Sequence, residues 1–203
     1  MFLRNRLFTT FSTGAICILA SAAVALGSDA DTKLGAAMTK DHITLAKAAR
    51  TAADATRGHI ISIEASWAGK SLEFTAKASA RDKIVSVSVK GKTGKAGAVR
   101  DLSNKSSSST DAKNIGKLMD KGNFDFAKAI TTAEAHCKGQ AISATSLAGA
   151  KSFELHVRCL VGGKTTTVRI DGKTGTVITE KATQTASAKK SHAAKTPKNT
   201  KKS

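Results

Sequence analysis

Two cysteines and two histidines in the second half of the chain are the residues whose types and spacing suggest chemistry. Cys137 and Cys159 each fall on an apolar stripe, the first of a predicted helix and the second of a predicted strand. The two sulfurs can therefore meet in a core, either as a disulfide or as two buried thiols. A metal site that adds His136 and His156 is disfavoured, because the odd spacing puts His156 and Cys159 on opposite faces of a strand.

The other titratable residues match no catalytic motif. The five histidines, at positions 42, 59, 136, 156 and 192, have no spacing typical of a catalytic or zinc-binding site. The Lys-Thr-Gly tripeptide at 92–94 is similar to one in penicillin-interacting enzymes, but their Ser-Asp-Asn motif is missing and the tripeptide recurs as a turn at 173–175. We therefore expect a protein that is not an enzyme and that has no cofactor.

The first 27 residues are typical of a secretory signal peptide. Arg4 and Arg6 precede an apolar run at 14–20, and small residues follow up to Gly27. Cleavage is expected before Ser28. The alternative is a retained membrane anchor, which needs about 20 continuous apolar residues, more than this run contains. After cleavage we expect no transmembrane span, and an oxidising compartment in which a disulfide can form.

The charge of the chain is strongly basic. Among 203 residues there are 33 Lys plus Arg against 15 Asp plus Glu, which gives a formal net charge of +18. Such a surface attracts anionic glycans, lipid headgroups or nucleic acid. Nucleic acid is the least expected of the three partners, because export separates the protein from most of it and aromatic residues for base stacking make up only 4% of the chain.

An ungapped offset of 81 residues relates the two halves of the chain. At this offset Gly35 falls on Gly116 and Gly58 on Gly139, and the tetrapeptide Gly-Lys-Thr-Gly at 91–94 falls on the same letters at 172–175. The match predicts a tandem duplication. Its units are an N-terminal segment at 28–33, repeat 1 at 34–100, a Ser-rich linker at 101–114, repeat 2 at 115–180, and a tail at 181–203.

Each repeat changes from a helical to a strand period along its length. In repeat 2, apolar residues at 126, 130, 133 and 137 predict a helix that begins after an Asn123 cap and ends at Gly139. Gly58 is the corresponding helix stop in repeat 1. Three alternating segments follow in both copies. The predicted fold is α+β, with each of the two tandem repeats made of one helix packed on a small antiparallel sheet.

The order of these segments resembles the PepSY domain family. The resemblance rests on Phe153-Glu-Leu155 and on the closing segment 168–178, in which Asp171, Thr174 and Gly175 match the family pattern. Thr176 replaces the usual Lys, and Lys90 stands in repeat 1 where Asp is usual. The resemblance implies a non-catalytic module of exported bacterial proteins, periplasmic or secreted, that restrains peptidases. The implied partner is an envelope or secreted protein, a peptidase above all.

Two other features are candidate contact sites. Trp67 lies beside the first hairpin where repeat 2 has Ala148, and it either contacts a partner or packs against the linker. The tail has no large apolar residue, so we expect a disordered arm. As an alternative function, this arm and the basic body of the chain together bind an anionic envelope polymer, lipid or nucleic acid; otherwise the arm only keeps the chain soluble. The candidate anion-binding residues there are Lys189, Lys190, Lys195, Lys198, Lys201 and Lys202.

Overall fold

A computed structural model describes residues 25–26, 29–81, 83–103, 109–149 and 151–181. The predicted leader lies outside these ranges except for Ala25 and Leu26, and so does the tail beyond Lys181 with its six candidate lysines. Within the described part of the chain, no helix is long and apolar enough to cross a membrane.

The α+β prediction is confirmed, and both repeats have the same order of elements. In each repeat the predicted helix, α2 or α4, is followed by a meander of three antiparallel strands. The structure adds a helix before each of them, α1 and α3, and short strands at the margins. The elements are β1 (Ala25–Leu26), α1 (Asp29–Lys40), α2 (Leu45–Thr56), β2 (His59–Ala68), β3 (Ser71–Ala80), β4 (Lys83–Lys90), β5 (Arg100–Asp101), α3 (Ser109–Gly122), α4 (Phe126–Cys137), β6 (Gln140–Ala148), β7 (Phe153–Val161), β8 (Lys164–Asp171) and β9 (Val177–Lys181).

The two predicted sheets are joined into one. Strands β2 and β6 pair antiparallel, with Ile63 opposite Ala144, so the order across the sheet is β1-β8-β7-β6-β2-β3-β4-β5, and β9 also pairs with β8. The two repeats therefore share one sheet and are not separate domains.

Helices cover both faces of this sheet. Alternate residues of the meander strands, such as Phe74, Ala76 and Ala78 in β3, are buried on the face that α2 covers in repeat 1 and α4 covers in repeat 2. Alanines line the buried side of α2 and α4, and these two helices also contact each other on that face. The remaining side chains of these strands lie on the opposite face of the sheet, which α1 and α3 cover.

Helices α1 and α3 pack across the junction of the repeats, and each contacts strands of both. Gly116 of α3 packs against Ser79 of repeat 1, where an added Cβ would lie 2.5 Å from the Ser79 Oγ atom. Gly35 of α1 packs against Leu160 of repeat 2, where an added Cβ would lie 2.6 Å from the Leu160 side chain. This glycine pair recurs in the sequence because each helix crosses its strand at a distance that admits no side chain.

The helix ends differ from the prediction in their caps. The cap of α4 is Asp125, whose carboxylate accepts a hydrogen bond from the Lys128 backbone N–H at 2.8 Å. Asn123, the predicted cap, has instead a left-handed backbone with φ of 48°. Helices α2 and α4 end at Arg57 and Lys138, whose backbones are in the left-handed region. Each lies one position before the glycine that was predicted to end the helix.

The glycines after these helices have another physical role. A Cβ at Gly58 would lie 2.4 Å from the Ser79 carbonyl oxygen, and one at Gly139 would lie 2.7 Å from that of Leu160. Both glycines therefore allow the chain to pass close to a neighbouring strand.

Both ends of the predicted linker at 101–114 have regular secondary structure. Asp101 belongs to β5, and its carboxylate accepts a hydrogen bond from the Ser103 backbone N–H at 2.8 Å and contacts Lys83 Nζ at 3.0 Å. These contacts, that with Ser103 first, lower the pKa of Asp101 to about 2. From Ser109 onward the chain is helical. Likewise, α1 begins at Asp29, inside the predicted N-terminal segment.

Candidate functional site

One face of α3 carries a row of lysines. Lys113, Lys117 and Lys121 are spaced four residues apart and therefore lie on one side of the helix. The row spans about 12 Å, from the helical rise of about 1.5 Å per residue. A depression borders each end of the row, one formed with repeat 1 and the other with repeat 2.

The depression beside repeat 1, here called the repeat 1 cleft, has a volume of about 270 Å³ and a mainly polar lining. Four cations come together there from three separate elements. Arg57 ends α2, Arg81 lies in the turn between β3 and β4, and Lys113 and Lys117 belong to α3. The remaining lining residues are Gly58, His59, Ser79, Gly116 and Asp120.

The depression beside repeat 2, here called the repeat 2 cleft, has a volume of about 240 Å³. Lys121, Lys151 and Lys173 line it together with the apolar side chains of Leu118 and Phe153. A neighbouring depression of about 420 Å³ shares Lys173 and adds one further cation, Lys128. The two clefts and the lysine row form one surface, called the basic band, whose residues are Arg57, Arg81, Lys113, Lys117, Lys121, Lys128, Lys151 and Lys173.

The acidic residues that line the basic band make hydrogen bonds within the fold. Asp120 Oδ1 lies 2.6 Å from His59 Nε2, and Asp125 caps α4. Next to the band, Asp171 accepts hydrogen bonds from the backbone N–H groups of Thr174 and Lys173 at 2.7 and 2.8 Å, which lower its pKa. Within the described residues, no cation of the band makes an ion pair with them.

A second charged cluster lies on the outward face of β7 and β8. Arg169 donates to both oxygens of Glu154, at 2.8 and 2.7 Å, and His156 Nε2 lies 3.2 Å from the same carboxylate. These contacts, that of Arg169 first, lower the pKa of Glu154. A carboxylate with a lowered pKa is a weak base, so this cluster stabilises the strand pair and is poorly suited to proton transfer.

The predicted cysteine pair lies on the side of the sheet that α4 covers. Cys159 is fully buried in β7, and Cys137 is partly buried as the last residue of α4, with its Sγ 3.8 Å from the Glu134 carbonyl oxygen. The disulfide between them stays a prediction. His156 points to the opposite face from Cys159, as the odd spacing indicates, and the described residues contain no group of three or more His, Cys, Asp or Glu that could hold a metal.

Trp67 lies near the end of β2, opposite Leu72 of β3, and its side chain is 45% exposed. This position leaves the ring accessible, and its contact with a partner stays a prediction. Other large apolar side chains with comparable exposure are Val99, Leu147 and Ile178.

The basic band could not be found from the sequence pattern alone. Lys113 fell inside the predicted linker and helix α3 was not predicted, so there was no basis in the sequence for placing the three lysines on one face of a helix. Arg57 and Arg81 are 24 positions apart, and only the folded sheet brings them beside α3. The one sequence signal was the spacing of four residues between the lysines at 113, 117 and 121.

Comparisons with known proteins identify no family. No family model matches the chain, and neither does any curated protein. Among solved structures, a "putative lipoprotein" from Clostridium difficile 630 is similar over 61% of this chain and 82% of its own, with a TM-score of 0.42 and 12% sequence identity.

Proposed function

We propose that this protein is an exported, non-enzymatic binding protein of the bacterial envelope that engages an anionic polymer or lipid surface through the basic band. The observation that carries the proposal is the convergence of eight cations from α2, α3, α4 and the strand connections on one continuous surface. The basic leader-like N-terminus and the resemblance to PepSY modules support export and the absence of catalysis.

The arrangement suits an extended anion better than a small one. Exposed charges are screened over about 8 Å at physiological ionic strength, so each lysine attracts mainly the anionic group next to it. A polymer or a lipid surface presents several such groups at once, and its binding then sums many modest contacts. The lysine-rich tail adds charge to the same chain.

A second candidate function is the binding of a protein, such as a peptidase, by strand addition. The edges of β4 and β8 are partly occupied, since β5 and the bridge of Ala96 to Val89 cover the first, and β9 covers the second from Thr167 to Ile170. β1 also pairs with β8, at Lys164 and Thr165, but the expected cleavage before Ser28 would remove it. The observation in favour is β9 itself, which is the last strand at its edge and exposes 44% of Ile178. Such an edge can accept a strand from a partner.

Salt dependence separates the two functions. The exported, processed protein is used to capture material from an envelope extract at low and at high salt, beside a triple variant that changes Lys113, Lys117 and Lys121 to Gln. A matched control changes Lys47, Lys70 and Lys92, which are exposed elsewhere, to Gln. We expect anionic material to be lost at high salt and in the band variant, but to be retained by the control.

Two outcomes would overturn this proposal. Equal loss in the band variant and in the control would show that net charge alone is responsible. Capture of a defined protein that persists at high salt, with no captured glycan or lipid, would favour strand addition instead.

A further inference from the structure

We propose that the repeat 1 cleft is a specific binding site for a phosphate group, held by Arg57, Arg81, Lys113 and Lys117. This inference rests on the proposed function and goes beyond it, because it names the chemical group and the place where it binds. The rest of the basic band would then supply general attraction only.

The internal symmetry of the protein provides the first argument. The offset of 81 residues relates two equivalent crossings, because Gly35 of α1 lies against Leu160 of repeat 2 as Gly116 of α3 lies against Ser79 of repeat 1. The scaffold is therefore the same in both places, but the cations are not. In the order Arg57, Arg81, Lys113 and Lys117, the equivalent residues are Lys138, Gly162, Thr32 and Ala36.

It follows that the fold does not need the four cations of the repeat 1 cleft. The equivalent place in repeat 2 forms the same crossing with one cation, Lys138. Since the packing is satisfied without them, the three additional cations of repeat 1 require another explanation, and the binding of an anion provides it.

The backbone at Arg81 provides a second argument. Arg81 has a φ of 47° in the turn between β3 and β4, and Gly162 occupies the equivalent turn position with a φ of 56°. A residue other than glycine in this left-handed region costs of order 1–3 kcal/mol unless its surroundings compensate. Glycine would therefore suit the turn better, and the arginine is explained by what its side chain does in the cleft.

The number and type of the cations indicate phosphate. Arginine presents a planar fork of donors that matches two oxygens of a phosphate or a carboxylate. Counting Asp120 in the cleft and Asp82 next to Arg81 in the sequence still leaves an excess of two positive charges. A phosphate monoester carries close to two negative charges at neutral pH, whereas a carboxylate carries one and would leave the cleft half neutralised. The Ser79 hydroxyl in the lining can donate a further hydrogen bond.

The test measures phosphate binding at the arginines themselves. In ¹H–¹⁵N spectra of the processed protein, inorganic phosphate is titrated and the side-chain Nε signals of Arg57 and Arg81 are followed. Vesicles of phosphatidic acid, whose headgroup is a phosphate monoester, test a lipid source of the same group, with phosphatidylcholine vesicles as reference, and polygalacturonate tests a carboxylate polymer.

The variant for this test combines Arg57→Gln with Arg81→Gly. The second change copies the turn of repeat 2, so we expect the variant to fold, which Trp67 fluorescence and circular dichroism check. The control changes Lys47 and Lys92, which are exposed outside the basic band, to Gln, which removes the same charge. We expect the arginine variant to lose at least tenfold in affinity for phosphate, and the control to lose less than twofold.

Three results would overturn the inference. Equal losses in the arginine variant and the control would leave only diffuse attraction, and the proposed function would still stand. Binding of polygalacturonate at the same arginines with equal affinity would remove the preference for phosphate. A wild-type protein that binds none of the anions would contradict both this site and the proposed function.

Discussion

Ile63 of β2 lies directly opposite Ala144 of β6, and these two residues occupy the same position in the two repeats. Their neighbours are related in the same way, because Ser62 faces Thr145 and Glu64 faces Ser143. An approximate twofold axis therefore passes between Ile63 and Ala144. The duplicated units meet as the two halves of a symmetric dimer would, but within one chain, and the continuous sheet that results makes each repeat depend on the other.

The first prediction concerns this junction. Ile63→Ala removes a large side chain that is 1% exposed, and such core truncations cost about 2–5 kcal/mol. Since the repeats share the sheet, we expect one cooperative unfolding transition at a lower denaturant concentration. Fluorescence of Trp67 reports on repeat 1, and far-ultraviolet circular dichroism reports on both repeats. Two separate transitions in the wild-type protein would contradict the dependence of one repeat on the other.

A second prediction concerns Glu134 of α4. Its Oε1 accepts a hydrogen bond at 2.9 Å from the backbone N–H of the fully buried Ala141, at the bulge where β6 begins. Glu134→Ala leaves that donor without its acceptor, which costs about 1–3 kcal/mol. Glu134→Gln keeps an acceptor, so in urea unfolding we expect it to retain most of the stability that the alanine variant loses.

The pH dependence of the same residue has a definite sign. Burial raises the pKa of Glu134 above its usual 4.5, so the folded state holds this proton more tightly than the unfolded state does. The contribution of Glu134 to the free energy of unfolding therefore falls as the pH rises above about 4.5. Glu134→Gln removes this term, and a wild-type protein that gains stability relative to the Gln variant between pH 5 and 7 would contradict it.

The third prediction concerns the ion pair of Glu154 and Arg169. Its contribution to stability depends on pH in the opposite direction to that of Glu134. The pKa of Glu154 is lowered in the folded state, so its contribution is fully present above the unfolded value of 4.5 and is lost as the pH falls through the lower folded value. Glu154→Gln should cost about 1 kcal/mol or less at pH 7. Thermal unfolding of both proteins from pH 7 to pH 3 should show the difference shrink at acid pH, and a constant difference would argue against the pair.

The sequence predicts those structural features that depend on neighbouring residues, and it fails for those that depend on residues far apart in the chain. The three strands of each meander were predicted because alternation of apolar residues such as Phe74 and Ala76 is a local signal. The pairing of Ile63 with Ala144 was not predicted. Nothing in the sequence of β2 or β6 distinguishes a strand at an exposed edge from one that pairs with the equivalent strand of the other repeat. The helices α1 and α3 were missed as well, because their apolar residues are few and part of α3 lay in a Ser-rich region.

The candidate site also combines a feature that is visible in the sequence with features that only the tertiary fold produces. The recurrence of Gly35 as Gly116 was visible in the sequence, but its cause, a close crossing by a helix from the other repeat, is a property of the tertiary fold. The four cations of the repeat 1 cleft are far apart along the chain and meet only through that crossing. Sequence reasoning therefore found that both the body and the tail are basic, but it named candidate anion-binding residues only in the tail and missed the cations that the fold brings together.

The last prediction concerns the disulfide between Cys137 and Cys159. Both residues lie on the α4 side of the sheet, and an exported protein meets oxidising conditions. Protein isolated from the exported fraction without reductant should then be lighter by two hydrogens and should not react with maleimide when unfolded. Closing a loop of about 22 residues restricts the unfolded chain, so reduction should lower the free energy of unfolding by about 3 kcal/mol. Cys137→Ser, at the partly buried end of the pair, should show the same loss without reductant, whereas two maleimide-reactive thiols in the unreduced exported protein would exclude the bond.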